Sequence, residues 1–188
     1  KYLYVNFVSL YNLLPKFYMD SLKIAGLNFD ILWKDKNKNL IFIEEKVKNI
    51  SADIIVLPEM FPPGFCMDAA EIADRNKETL HWMKGLASSK KSAVCGSGSV
   101  FENGNFYNRF YFVKPDGTFE YYDKRHLFSY SGEDKVYSPG KERIVVEYKG
   151  WKFCPLICYD LRFPVWARNT ENYDVLLYVA NWPAPRHH

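Results

Sequence analysis

The stretch Asp53-Ile54-Ile55-Val56-Leu57 constrains the fold more than any other, because after Asp53 four apolar, largely β-branched residues run straight into Pro58. Such a run reads as a strand buried on both faces, and proline ends it because it has no N–H for a ladder. Around it the chain alternates. Leu22–Leu27 reads as a buried strand. Asn37–Ile50 places Leu40, Ile41, Val47 and Ile50 near one helical face, and Glu71–Ser89 carries Leu80, Met83, Leu86 and Ala87 at helical spacing. Ser92–Val100 returns to small and β-branched residues. Phe106–Val113, a Pro115-Asp116-Gly117 turn and Thr118–Tyr122 then read as a hairpin. Ile144–Tyr148 and Trp151–Ile157 flank Lys149-Gly150 as a second hairpin. Phe163–Thr170 reads as a short helix with Pro164 in its first turn, and Asp174–Val179 as one more buried strand. This order, α/β and then hairpins and then α/β again, predicts an α/β fold with helices covering the faces of a mixed sheet.

Composition removes several alternatives. A chain of 188 residues with 48% hydrophobic and 25% charged residues suits one domain with a substantial core. The formal net charge is +3 and its lysines are dispersed, so no nucleic-acid groove is expected. Residues 2–14 are apolar but too short and too interrupted to span a bilayer. Residues 1–18 are set apart as an uncertain N-terminal extension, with the domain assigned to residues 19–188. Cys66, Cys95, Cys154 and Cys158 lack metal-ligand spacing and are too sparse for a disulfide framework. No metal or cofactor is expected, and a reducing, cytoplasmic setting fits free thiols.

Reactive residues gather where strands end in α/β sheets. Glu59 follows Pro58; Lys124 follows the first hairpin in Tyr122-Asp123-Lys124-Arg125-His126; Cys158 follows the strand ending at Ile157. Taken singly, each has a plainer reading: a surface carboxylate, a solvated lysine, a packed core thiol. His126 could serve a cysteine protease as a base, but a packing or hydrogen-bonding role is favoured.

The phrases around these residues settle the weighting. LPEMFPPGF (57–65), YYDKRHLF (121–128), PLICYDLRFPVWARN (155–169) and YDVLLYVANWPAPR (173–186) resemble, in order, the nitrilase superfamily of carbon–nitrogen hydrolases, and the omega-amidase branch most. The resemblance implies an α-β-β-α sandwich of mixed sheets, incomplete here at its C-terminal end. It implies Cys158 as nucleophile, Glu59 as general base and acid, Lys124 at the oxyanion, and Glu133 as a second carboxylate orienting the lysine or the substrate nitrogen. The implied substrate is a small linear amide of the 2-oxoglutaramate type, cleaved through a thioester, and the implied assembly is a homodimer or larger. Nitrilase and N-carbamoyl amino acid amidohydrolase activities are the enzymatic alternatives. An inactive homologue that only binds small carboxylates or partners is the non-enzymatic one. The N–H of Tyr159 is the expected second oxyanion donor. Phe61, Tyr159 and Trp182 are expected to wall the pocket, and Arg162, Arg168 or Arg186 to meet a substrate carboxylate.

Overall fold

The computed structural model describes residues 4–11 and 21–182. Strands β1 (Tyr4–Tyr11), β2 (Ser21–Asn28), β3 (Ile54–Val56), β4 (Ala93–Glu102), β5 (Asn105–Val113) and β6 (Phe119–Asp123) form one sheet in that spatial order. The pairs β2–β3 and β3–β4 are parallel and the others antiparallel. Strands β7 (Val146–Tyr148), β8 (Trp151–Ile157) and β9 (Val175–Val179) form a second mixed sheet, with β7–β8 antiparallel and β8–β9 parallel. Helix α1 (Lys36–Val47) fills the connection from β2 to β3. The short α2 (Ala69–Ile72) and the longer α3 (Glu78–Lys90) fill the next one.

The two-residue period of a strand explains the layering. Ile54, Ala93, Cys95, Phe110, Phe112 and Tyr122 face the second sheet and meet Val146, Phe153, Ile157 and Val179. Phe112 touches both Tyr148 and Phe153, with ring centroids 5.8 and 5.5 Å away. The alternate residues Ile55, Leu57, Val94, Tyr111 and Val113 face α1 and α3, where Ile43, Val47, Leu80, Met83 and Ala87 close a second core. The central strands are therefore apolar on both faces, which is why they read as continuous hydrophobic runs. Helix, sheet and sheet make three layers; no α-helix follows Lys90 among the described residues.

Two helical readings need correction. Glu71–Ser89 is not one helix, because Asp74 interrupts it. The Asp74 carboxylate accepts from the N–H groups of Asn76, Glu78 and Thr79, at 3.1, 3.0 and 2.7 Å, and so caps the start of α3. Its backbone is meanwhile pinned to β4 through Ser99 and Phe101. Phe163–Thr170 forms turns rather than a helix. A single 3₁₀ turn occupies Cys158–Arg162 instead, and the Arg143 guanidinium binds the carbonyls of Trp166 and Arg168, the latter at 2.7 Å. In a helix reaching Thr170, its N–H would donate to the Trp166 carbonyl; here it donates to the Arg168 carbonyl instead, at 2.9 Å.

Candidate active site

Glu59 leaves β3 on a loop clamped to β4. Met60 N–H donates to Ser97 Oγ at 2.9 Å and Phe61 N–H to the Ser97 carbonyl at 3.1 Å, while Met60 adopts φ +47°. A side chain on Gly96 would put its Cβ 2.8 Å from Leu57 Cβ, so only glycine lets the loop lie this close. The Glu59 carboxylate is buried, and its Oε2 accepts from Asn181 N–H at 3.1 Å.

Lys124 sits one residue beyond β6. Its N–H donates to the Asn108 carbonyl and its carbonyl accepts from Gly140, both at 2.9 Å. The preceding Asp123 is gripped by both ends of the Arg109 guanidinium, at 2.7 and 2.9 Å. The lysine side chain, with no solvent exposure, lies between two carboxylates: Nζ is 2.8 Å from Glu59 Oε1, and 3.1 and 2.9 Å from Glu133 Oε1 and Oε2. Glu133 is delivered by a 3₁₀ turn entered through the left-handed Gly132, and Phe128 N–H donates to its Oε2 at 2.6 Å. Asn108 of β5 completes the group, its amide donating to Glu59 Oε1 at 2.9 Å and to Glu133 Oε1 at 3.1 Å.

The electrostatics follow from this packing. Burial works against the Lys124 charge, but the two carboxylates outweigh it and hold the ammonium above its ordinary range. Burial pushes the Glu133 carboxyl up, with the lysine opposing and the Glu59 charge adding.

Cys158 follows β8 with φ +40°, a left-handed conformation that costs a non-glycine residue free energy and tends to mark a site. Burial pushes its thiol up to about 12, helped by the Glu59 charge and hydrogen bond and opposed by Lys124. The resting sulfur therefore keeps its proton, with Glu59 as the acceptor beside it. Behind the turn, the buried Asp160 carboxylate accepts four donors. These are Ile157 N–H and His126 N–H at 3.0 Å, and Tyr122 O–H and His126 Nδ1 at 2.8 Å. A carboxylate can only accept, so the imidazole proton sits on Nδ1.

The four groups Glu59, Lys124, Glu133 and Cys158 thus converge, and three of them line one cavity of about 380 Å³. Phe65, Phe128, Tyr130, Tyr159 and Trp182 supply its walls, with Arg162 and Asn181 as further polar lining. A larger groove of about 750 Å³ lies alongside but contains none of the four reactive groups. Tyr159, Arg162 and Trp182 are on the lining of this cavity. Phe61 is not: the left-handed turn at Met60 buries it in the helix-side core, against Trp82 at 5.7 Å, and Phe65 takes the wall position. His126 stacks on Phe163 at 3.7 Å and does not line the cavity. Arg168 is exposed away from it, and Arg186 lies outside the described residues. Asn108 went unnoticed in the sequence; its signal is a polar residue inside an aromatic strand. The other three cysteines are buried, free thiols. Among the described residues no cluster of His, Cys, Asp and Glu is arranged to hold a metal, and no helix is long and apolar enough to cross a membrane.

Comparison with known proteins places this geometry in context. The family model described as carbon-nitrogen hydrolase matches residues 23–188. The chain is 44% identical over 169 residues to the omega-amidase YafV of Escherichia coli (strain K12), covering 89% of this chain and 66% of that protein. It is 37% identical over 175 residues to the 2-oxoglutaramate amidase of Bacillus subtilis (strain 168), covering 87% and 66%. The chain therefore spans just under two thirds of the length of these relatives. Its structure is similar to a crystal structure from Xanthomonas campestris described as a CN-hydrolase superfamily protein with an arsenic adduct in the active site. The TM-score is 0.84 at 36% identity, covering 88% of this chain and 66% of that one.

Proposed function

The chain belongs to the carbon-nitrogen hydrolase family, and from that premise we propose that it hydrolyses a small linear carboxamide, of the 2-oxoglutaramate type, to a carboxylate and ammonia through a Cys158 thioester. The observation that carries this reading is the meeting of Cys158, Glu59 and Lys124 on one cavity, with Glu133 behind the lysine.

The chemistry follows the charges. As Sγ bonds to the amide carbon, its proton passes to the Glu59 carboxylate, because a thiol held near 12 is a poor nucleophile without a base. The carbonyl oxygen becomes an oxyanion, which the Lys124 ammonium and the Tyr159 N–H stabilise. Each such donor is worth about 3–4 kcal/mol of barrier. Glu59 returns its proton to the nitrogen, the C–N bond breaks, and ammonia leaves a thioester. Water attacks that thioester while Glu59 takes a water proton. The C–S bond then breaks, and Glu59 restores the thiol. The names of the two relatives support an omega-amide substrate, and Arg162 on the cavity lining suits the distal carboxylate of such an acid. Free, reduced cysteines agree with a cytoplasmic setting, and association into dimers or larger assemblies follows from the family resemblance.

The test is ammonia release by the purified protein from 2-oxoglutaramate, set beside nitriles and N-carbamoyl amino acids, with Cys158→Ala as control. The amide is expected to be preferred and Cys158→Ala to be inactive. Ammonia release that survives Cys158→Ala would remove the mechanism.

A further inference from the structure

Lys124 carries three N–H bonds, and all three point at carboxylate oxygens: Glu59 Oε1, Glu133 Oε1 and Glu133 Oε2. An oxyanion forming at the Cys158 acyl group must therefore displace one of them. The bond to Glu133 Oε1 is the natural one to give way. It is the longest of the three at 3.1 Å, and Glu133 keeps the lysine through Oε2 at 2.9 Å.

Releasing that bond would leave Glu133 Oε1 short of a donor in a buried site, were it not for Asn108. The Asn108 amide spends one N–H on Glu133 Oε1 and the other on Glu59 Oε1. Its orientation is fixed, since turning the amide over would aim an oxygen at two carboxylates. The cost is visible on the other side: among the described residues, Asn108 Oδ1 is buried without a partner. An unsatisfied buried acceptor is destabilising. A residue chosen only to fill the strand face would not carry that penalty. The main chain ties the same parts together, because the Asn108 carbonyl accepts from the Lys124 N–H.

We propose that Asn108 is a positioning residue for acyl transfer: it bridges and holds the two carboxylates so that Lys124 can turn one N–H from Glu133 to the oxyanion. This rests on the amidase reading of the site. Two consequences separate it from a purely structural role. Without the amide, Glu133 loses a donor that favours its charged form, so it takes a proton at higher pH. The loss of rate should also fall on the chemical step, because Asn108 does not line the cavity.

The experiment compares wild type with Asn108→Leu and Asn108→Asp. It measures kcat and KM against pH and, separately, the pH dependence of Cys158 alkylation by iodoacetamide. Cys158→Ala sets the zero of alkylation, since Cys66, Cys95 and Cys154 are buried. For Asn108→Leu, kcat is expected to fall about 30- to 100-fold with KM changed by less than about threefold. The acid limbs of both kcat/KM and alkylation should move up by about one pH unit. Asn108→Asp keeps the shape and replaces the donor by a third carboxyl group, so its limbs should move up further, and it carries the test if the leucine variant does not fold. Acid limbs that coincide with wild type in a folded variant, or a loss confined to KM, would overturn the proposal. Because alkylation needs no amide hydrolysis, a wild type that releases no ammonia would sink the amidase reading while leaving the role of Asn108 to be decided by the alkylation limbs.

Discussion

Two polar clusters grow from the same two stretches of chain, and their side chains alternate between them. From residues 122–126, Lys124 turns toward the cavity while Tyr122 and His126 turn the other way. From residues 157–160, Cys158 reaches the cavity and Asp160 the region behind it. The first cluster sets one ammonium between two carboxylates, an excess of negative charge, with an amide oxygen that has no partner among the described residues and a cavity on one side. The second is a single carboxylate with four donors directed at it. The first is therefore poised to change partners, and the second is built not to. Asp160 ties the lysine strand end to the turn that holds Cys158 at φ +40°, and such strain persists only where the surroundings over-determine it.

The hardest blow to the first cluster is Lys124→Met, which leaves two buried carboxylates facing each other without a cation. Destabilisation of about 3–5 kcal/mol at pH 8 is expected, together with loss of activity. The sign with pH is specific. Without the lysine the Glu133 carboxyl, which burial already pushes up, would titrate above its unfolded value, so the deficit should shrink as pH falls and it takes a proton. Urea melts at pH 8 and pH 5 that show the same deficit would mean that charge does not govern this cluster. Next comes Gly140→Ala, which acts on the frame shared by both clusters. The added Cβ would stand 2.0 Å from the Asp123 carbonyl oxygen, so the strand end carrying Lys124 must move. A cost of about 3 kcal/mol is expected, with kcat falling more than KM rises.

Asp160→Asn breaks the second cluster while preserving its shape. An amide can accept through one oxygen only, so at least one of the buried donors is left without a partner, at a cost of about 2 kcal/mol. Activity should fall by about tenfold or more through kcat, since a small misplacement of the nucleophile is costly. The acid limb should stay where wild type has it, because the Glu133 carboxyl that sets it belongs to the other cluster. That wild-type limb should itself lie above the ordinary carboxylate range of about 4.3, since burial raises Glu133 and activity is lost as pH falls through its titration. A limb that moves in Asp160→Asn would join the two clusters into one electrostatic unit and end the contrast.

What was legible in the sequence follows the same division. Glu59, Lys124 and Cys158 each leave the end of a strand, and the phrases around them, through their resemblance to the nitrilase superfamily, singled them out together. Asn108 escaped notice because it lies inside a strand, where only its partners distinguish it from a pairing defect. Phe61 was expected on the wall that Phe65 occupies, because nothing in Pro58-Glu59-Met60 shows that Met60 takes a left-handed conformation and reverses the chain. The helix expected from Glu71 onward failed at Asp74, whose carboxylate competes for the backbone N–H groups of the next turn. The helix expected after Phe163 failed for a longer-range reason, since Arg143, distant in sequence, binds the Trp166 carbonyl that its last turn would use. Local pattern reached the layers and the strand ends; it could not reach what side chains do to backbone groups across a turn.

The smallest expected effect is also the sharpest probe of the second cluster. The Tyr122 hydroxyl donates to Asp160 at 2.8 Å and accepts from Arg125 N–H at 3.0 Å and Trp166 Nε1–H at 3.1 Å. Burial and the Asp160 charge raise the phenol above its ordinary range, so it remains a protonated donor. Tyr122→Phe removes that oxygen and little volume. Asp160 keeps three of its four donors, while the N–H groups of Arg125 and Trp166 lose an acceptor, so a cost of about 1–2 kcal/mol is expected. Activity should stay within about threefold of wild type, because His126 and Ile157 still hold the carboxylate that positions the turn. If Tyr122→Phe instead lowered kcat as far as Asp160→Asn does, the hydroxyl would be the tie between the lysine strand and the cysteine turn. The redundancy attributed to the four donors would then be wrong.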